Sequence, residues 1–407
     1  MSIMTFFSGS FCGNTPIIQG VIKKSNYSLL TDNDLTAEAS RLSGIPEKKI
    51  VRAYMNKPSV FNKFTHERER AVAYMRLAVA QSIFRSNCLI DGFSGMLIPA
   101  SVTHVLRTCL IADKKSRIQQ AMGEKGLSEK EAEALINKDD EAASLWCDSL
   151  FKLQDPWDPS LYDIVVPTDK MDHAEAVSLI LENLKSEVIQ PTKVSEKAAL
   201  DFILAAQVEV ALAKEGHAAG VSARDGMVTL TINTNVLLLG RLEDELKAIA
   251  GGVDGVTSVE TRIGKGFYQA DIYRKFDFEV PSKVLLVDDE REFVQTLSER
   301  LQMRDMGSAI AYDGESALNL VEEDEPDVMI LDLKMPGIDG IEVLKTVKAS
   351  RPEIEVIILT GHGSDADREL CMSLGAFAYL QKPVDIEKLS RTLEAANEKI
   401  RTRADNS

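Results

Sequence analysis

The chain has 407 residues, 44% apolar and 27% charged, a balance that suits two or three buried cores and excludes a disordered or fibrous protein. Its net charge is −16, and between Lys283 and Lys399 there are 13 Lys and Arg against 25 Asp and Glu, a balance of −12. An acidic surface without a basic stripe argues against nucleic-acid binding, and no stretch approaches 18 uninterrupted apolar residues, which argues against a membrane span.

The N-terminus lacks the basic-then-apolar pattern of a signal peptide. Cys12, Cys88, Cys109, Cys147 and Cys371 are odd in number, scattered and free of CxxC spacing. Together these features predict reduced, mostly buried thiols and a cytoplasmic location.

From about residue 3 to 187 short apolar runs alternate with long amphipathic ones. The predicted strands are IMTFF, SNCLIDGF, HVLRTCLIAD and LYDIVVPT, with helices over 66–85 and 127–152. The alternation predicts a mostly parallel α/β sheet over 1–187. A joint follows at VIQPTKVSEK, where Pro191 breaks one helix and Ser195 is placed to cap the next.

Residues 194–264 are predicted to form a small α+β domain of α-β-β-α-β order. Its hairpin signal is Asp225-Gly226 between two β-rich runs. Residues 265–281 form an irregular connector ending at Pro281. Over 282–402 five runs, KVLLV, SAIAY, DVMIL, EVIIL and FAYLQ, each precede a helical pattern, which predicts a flavodoxin-like (βα)5 domain with a buried parallel sheet. The fold class is thus α/β multidomain.

In such a sheet the functional residues gather at the carboxyl ends of the strands. Those ends carry Asp288 and Asp289 (LLVDDE), Asp332 (MILDLKMPG), Thr360 (IILTG) and Lys382 (YLQKP). Three carboxylates held together repel unless a divalent cation is present, and oxygen ligands with room for water suit Mg²⁺. The set resembles the receiver domain of two-component response regulators. That resemblance implies that Asp332 accepts phosphate and that Asp288, Asp289 and the Lys334 carbonyl help bind Mg²⁺. It further implies that Thr360 and Lys382 hold the phosphoryl group and that Tyr379 swings inward, with Gly361 leaving space. The phosphodonor would be a sensor histidine kinase or a small phosphodonor, and a homodimer through the receiver is expected. The face over 364–400 would be the output surface.

The first segment opens with SGSFCGNTPI, a strand–Gly/Ser–helix junction, and closes with CLIADKKSRIQQAMGEKGLSEKEAEALINKDDEAASLW and DPWDPSLYDIVVPTDKMDHAEAVSLI. These pieces resemble a cytidylate-kinase-like P-loop domain over about 4–185, with Gly9, Ser10, Gly13, Asn14 and Thr15 as the candidate nucleotide-binding residues. Two departures argue against phosphoryl transfer, which needs cations to spread developing charge. Asn14 stands in the place of the loop lysine, and Lys138 is followed by Asp139, Asp140 and Glu141 where lid arginines are expected. Arg107 and Arg117 remain and read equally well as surface residues.

The middle segment, DGMVTLTI…GVDGVTSVETRI, resembles a BON domain, although a plain spacer accounts for its turn glycines and alternating valines as well. His66 on a charged helix reads as solvated, not as a phosphohistidine, and His362, two after Thr360, as a residue that tunes hydrolysis of the acyl phosphate. The expected function is a response regulator with a degenerate kinase-like domain. The competing expectations are a phosphorylation-regulated nucleoside monophosphate kinase and a non-catalytic scaffold.

Overall fold

The computed structural model describes residues 2–56, 59–85, 87–233, 236, 239–264, 283–304, 306–361 and 363–405. The connector expected at 265–281 and the expected role of His362 lie outside the described residues. The described residues of Met1–Lys57 and Glu67–Tyr273 form one compact unit, and those of Pro58–His66 and Arg274–Ser407 form a second.

In the first unit five parallel strands, β1 (Ile3–Ser8), β2 (Ser28–Thr31), β3 (Cys88–Asp91), β4 (Val105–Ile111) and β5 (Ile164–Pro167), lie in the order β2-β3-β1-β4-β5. Alternate β1 residues feed two different cores. Met4 and Phe6 pack with Ile17, Val21 and Val177, while Ile3 packs with Leu35, Ala78 and Val105. A strand covered on both faces must be apolar throughout, which is why IMTFF carries no polar alternation beyond Thr5. The sequence reading omitted β2. Its SLLT is short, pairs only with β3 at the sheet edge, and is exposed or half-buried throughout, so it carries no buried run to detect.

The helix Lys193–Lys214 is capped by Thr192, not Ser195. The Thr192 hydroxyl accepts from the Ser195 N–H at 3.1 Å and the Ser195 hydroxyl accepts from the Thr192 N–H at 3.0 Å, a reciprocal capping box. This helix has apolar stripes on two sides. Ala199, Phe202, Ala206, Val210 and Ala213 join the core under β1, whereas Leu204, Val208 and Leu212 pack on a second, smaller sheet.

That sheet consists of β6 (Gly220–Arg224), β7 (Met227–Ile232) and β8 (Ser258–Ile263), with the helix Leu239–Gly251 between β7 and β8. The β6–β7 pair is antiparallel, and Asp225 (φ 57°) and Gly226 (φ 80°) both take the left-handed backbone that a tight hairpin of this hand requires. The order is α-β-β-α-β, as expected.

The second unit holds β9 (Val284–Val287), β10 (Ser308–Ala311), β11 (Val328–Leu331), β12 (Glu355–Thr360) and β13 (Ala378–Gln381), all parallel, in the order β10-β9-β11-β12-β13. This is the doubly wound order, with its crevice beside β9 and β11 where the strand order reverses. Leu285, Val287, Met329 and Leu331 fill one face, and Val284, Leu286, Val328 and Ile330 the other. Phe61, 1% exposed, packs into the first of these cores, and the Ser59 hydroxyl and Val60 N–H donate to Asp324 at 2.6 and 2.8 Å. Nothing in the sequence pattern assigned 59–61 to this unit.

Candidate functional site

Backbone bonds carry the sheet one residue past its strands and so fix the directions of the side chains there. Asp332 N–H donates to the Val287 carbonyl at 2.9 Å, Asp288 N–H to Ala311 at 3.2 Å, and Lys382 N–H to Thr360 at 2.9 Å. The result brings oxygens of Asp288, Asp289 and Asp332 within 4.8 Å of one another. Asp288 and Asp332 are buried, while Asp289 is exposed at the mouth.

Lys382 is the internal cation of this acidic crevice. Its Nζ lies 2.7 Å from Asp288 Oδ2, 2.8 Å from Glu290 Oε1 and 3.9 Å from Asp332 Oδ2. It also sits 4.4 Å from the centroid of the Phe293 ring. Burial would lower its pKa, but hydrogen bonds to Asp288 and Glu290 outweigh that and hold it above the ordinary lysine value. Burial raises the Asp288 carboxyl, with Lys382 and the Glu290 N–H pulling it back.

Asp332 Oδ1 is buried with no hydrogen-bond partner. A buried carboxylate oxygen without a donor is costly unless a ligand or cation completes it. Three oxygen donors of this kind fit Mg²⁺. Asp288, Asp289 and Asp332 would hold it by their carboxylates, and Lys334, exposed two residues beyond Asp332, belongs to the same loop. Glu290 was missed by the sequence reading, although it is the third acid of LLVDDE.

Thr360 is buried at the end of β12. The Tyr379 hydroxyl is also buried, without a hydrogen-bond partner, and burial raises its phenol pKa. The ring is therefore already turned inward. An added Cβ at Gly361 would meet nothing nearer than Lys382 at 3.9 Å, whereas one at Gly363 would overlap the Tyr379 hydroxyl.

In the first unit the loop between β1 and the helix Asn14–Ser25 contains Gly9, Ser10, Gly13, Asn14 and Thr15. Phe11 and Gly13 adopt positive φ (60° and 65°), which turns the chain sharply into the helix. Asn14, in the position of a loop lysine, donates to the Ser8 hydroxyl at 2.8 Å and so closes on the loop itself. Thr15 is exposed.

Arg117 is 6% exposed, so it is not a surface residue. Its guanidinium donates to the Ser10 carbonyl at 2.8 Å and makes a two-point pair with Asp140 at 2.9 and 2.7 Å. The carboxylate of the acidic lid thus occupies the cation nearest the loop. Arg107 is half-buried, donating to the Pro99 carbonyl at 3.1 Å, and burial lowers its pKa.

With this geometry in view, two family models match the chain. Residues 284–394 match the response regulator receiver domain, and residues 4–170 match the cytidylate kinase-like family. The chain is 41% identical over 114 residues to the transcriptional regulatory protein CpxR of Escherichia coli (strain K12), covering 28% of this chain and 48% of CpxR. It is 33% identical over 116 residues to the response regulator MprA of Mycolicibacterium vanbaalenii, covering 28% and 50%. The chain spans about half the length of the curated relatives it matches. A receiver domain structure from Clostridium thermocellum is similar at 34% identity over 30% of this chain and 97% of that one, with a TM-score of 0.29.

The C-terminal segment is a response regulator receiver domain, and the N-terminal one is of the cytidylate kinase-like type. Receivers as a class bind Mg²⁺ for phosphorylation and pair with sensor kinases. Among the described residues no helix is long and apolar enough to cross a membrane.

Proposed function

We propose that this protein is a two-component response regulator whose Asp332 accepts a phosphoryl group from a sensor histidine kinase or a small phosphodonor. A single observation carries this reading: Asp332 Oδ1 is buried, lacks a partner, and opens onto a crevice shared with Asp288, Asp289 and Lys382. One Asp332 oxygen attacks phosphorus, the bond from phosphorus to the donor breaks, and the donor leaves with that electron pair. Lys382 then exchanges its contacts with Asp288 and Glu290 for one with the phosphoryl oxygens. Mg²⁺, if held by the Asp288, Asp289 and Asp332 carboxylates, would supply charge neutralisation for the incoming phosphate.

The kinase-like domain serves this switch without turning over nucleotide. The Asn14–Ser8 bond and the Arg117–Asp140 pair support that view, because the side chains of Asn14 and Arg117 beside the loop are satisfied internally. The acidic balance of the chain supports an output other than nucleic-acid binding, and association of receivers is the expected readout.

Incubation with labelled acetyl phosphate and Mg²⁺ tests the first claim. Wild type takes up label and Asp332→Asn does not. Incubation of ATP with CMP, with and without beryllofluoride, tests the second, and transfer above background would overturn it.

A further inference from the structure

Gly363 lies in the loop between β12 and the helix Asp365–Ser373, three residues beyond Thr360. Loop glycines are commonly kept for a left-handed backbone. Nine glycines among the described residues have positive φ, and Gly363 is not one of them. A left-handed backbone is therefore not what calls for glycine here. Space is what it lacks: a Cβ at Gly363 would fall on the Tyr379 hydroxyl oxygen, 2.9 Å from Tyr379 Cζ and 3.1 Å from Thr360 Cγ2.

The geometry points to Gly363 as the positioning residue that admits the Tyr379 ring to its inward berth beside Thr360. This assignment rests on the reading of Tyr379 as the receiver's switch residue. Two effects oppose each other in the berth. The ring packs against the apolar core that contains Leu331 and Ile358, which favours the inward position. The hydroxyl is shut off from water with no partner to replace it, which favours the outward one. An inward state held by a difference between opposing terms is sensitive to one methyl group. A side chain at 363 removes the volume the oxygen occupies and leaves Asp332, Lys382 and the loop backbone as they are.

The test uses the full chain with labelled tyrosine rings, the Tyr379 signal being the one lost in Tyr379→Phe. Exposure of the ring is read from broadening by a soluble paramagnetic agent, with and without Mg²⁺ and beryllofluoride. In wild type and in Gly361→Ala the ring stays protected. In Gly363→Ala broadening rises several-fold in both conditions, while label from acetyl phosphate still enters at Asp332. Equal protection of the ring in Gly363→Ala and wild type overturns the assignment. If no variant takes up label but Gly363→Ala still expels the ring, the positioning role stands and the phosphoacceptor reading falls. Should Gly363→Ala fail to fold, folding is compared in the Tyr379→Ala background, where the clash is gone. Recovery there supports the assignment, and continued failure overturns it.

Discussion

Lys382 and Asp288 form a 2.7 Å ion pair at the mouth of β9, while Asp332 lies 3.9 Å from the same ammonium. The lysine is therefore committed to Asp288 and Glu290 and only leans toward Asp332, the proposed phosphoacceptor. It neutralises part of a cluster that would otherwise hold three carboxylates without a counter-charge.

Replacing Lys382 by Met leaves that cluster dependent on an external cation. The melting temperature of the variant should rise with added Mg²⁺ more steeply than that of wild type, as calorimetry or circular dichroism over a MgCl₂ series would show. Loss of a charge-assisted contact to the phosphoryl group, typically worth about 1.5–3 kcal/mol, should slow label uptake by roughly 10- to 100-fold. An unchanged uptake rate would remove Lys382 from the site.

Asp91 at the end of β3 provides a pH signature for the first unit. Burial, helped by the nearby Asp32 carboxylate, pushes its pKa up to about 6. A carboxyl raised in the folded state binds its proton more tightly there than when unfolded, so its contribution to stability is present at low pH. That contribution declines as pH rises from about 4 to about 6. Asp91→Asn should flatten this decline and stabilise the unit near pH 7.5 by roughly 1–2 kcal/mol after allowance for solvent screening. Denaturant melts at pH 4.5 and 7.5 would measure it, and a pH dependence identical to wild type would refute it.

The Arg117–Asp140 pair makes a double prediction. Asp140→Asn leaves a buried guanidinium under-compensated and should cost about 2 kcal/mol, less than for a fully buried pair because Asp140 is about one-third exposed. The freed cation should still give no CMP phosphorylation, since Asn14 supplies no charge beside it. Thermal melts and a coupled ATP assay read the two effects separately.

How much of this was legible in the sequence follows from where the signals lie. The receiver carboxylates stood out because a parallel sheet places its chemistry at strand ends, and Asp288, Asp332, Thr360 and Lys382 each follow an apolar run. Gly361 was named because it adjoins Thr360, whereas the close approach of the Tyr379 hydroxyl to Gly363 comes from across strands, a tertiary fact with no local mark. Ser195 was preferred as a cap because it precedes the apolar run, but Thr192 starts the helix one turn earlier through a reciprocal bond. Arg117 read equally well as a remaining cation or a surface residue until the fold brought Ser10 and Asp140 to it from 107 and 23 residues away.

Glu355 tests the integrity of the receiver away from its site. It is fully buried at the start of β12 and pairs with Lys399 and Arg403, both at 2.8 Å, and with Lys348 at 3.8 Å. Glu355→Gln should lower receiver stability by roughly 2–3 kcal/mol, a lower figure than for wholly buried partners because the two nearer cations, Lys399 and Arg403, are about half exposed. It should leave uptake of label at Asp332 intact under conditions where the domain stays folded. Chemical denaturation followed by the phosphorylation assay would separate these outcomes.

The central claim, that Asp332 is the phosphoacceptor, is tested most directly by mapping the acyl phosphate. The chain is treated with acetyl phosphate and Mg²⁺, reduced with borohydride, which converts a phosphorylated aspartate to homoserine, and sequenced by tandem mass spectrometry. Homoserine is expected at position 332 alone, and none when Mg²⁺ is chelated. Homoserine at another aspartate, or none at 332 when Mg²⁺ is present, would contradict it.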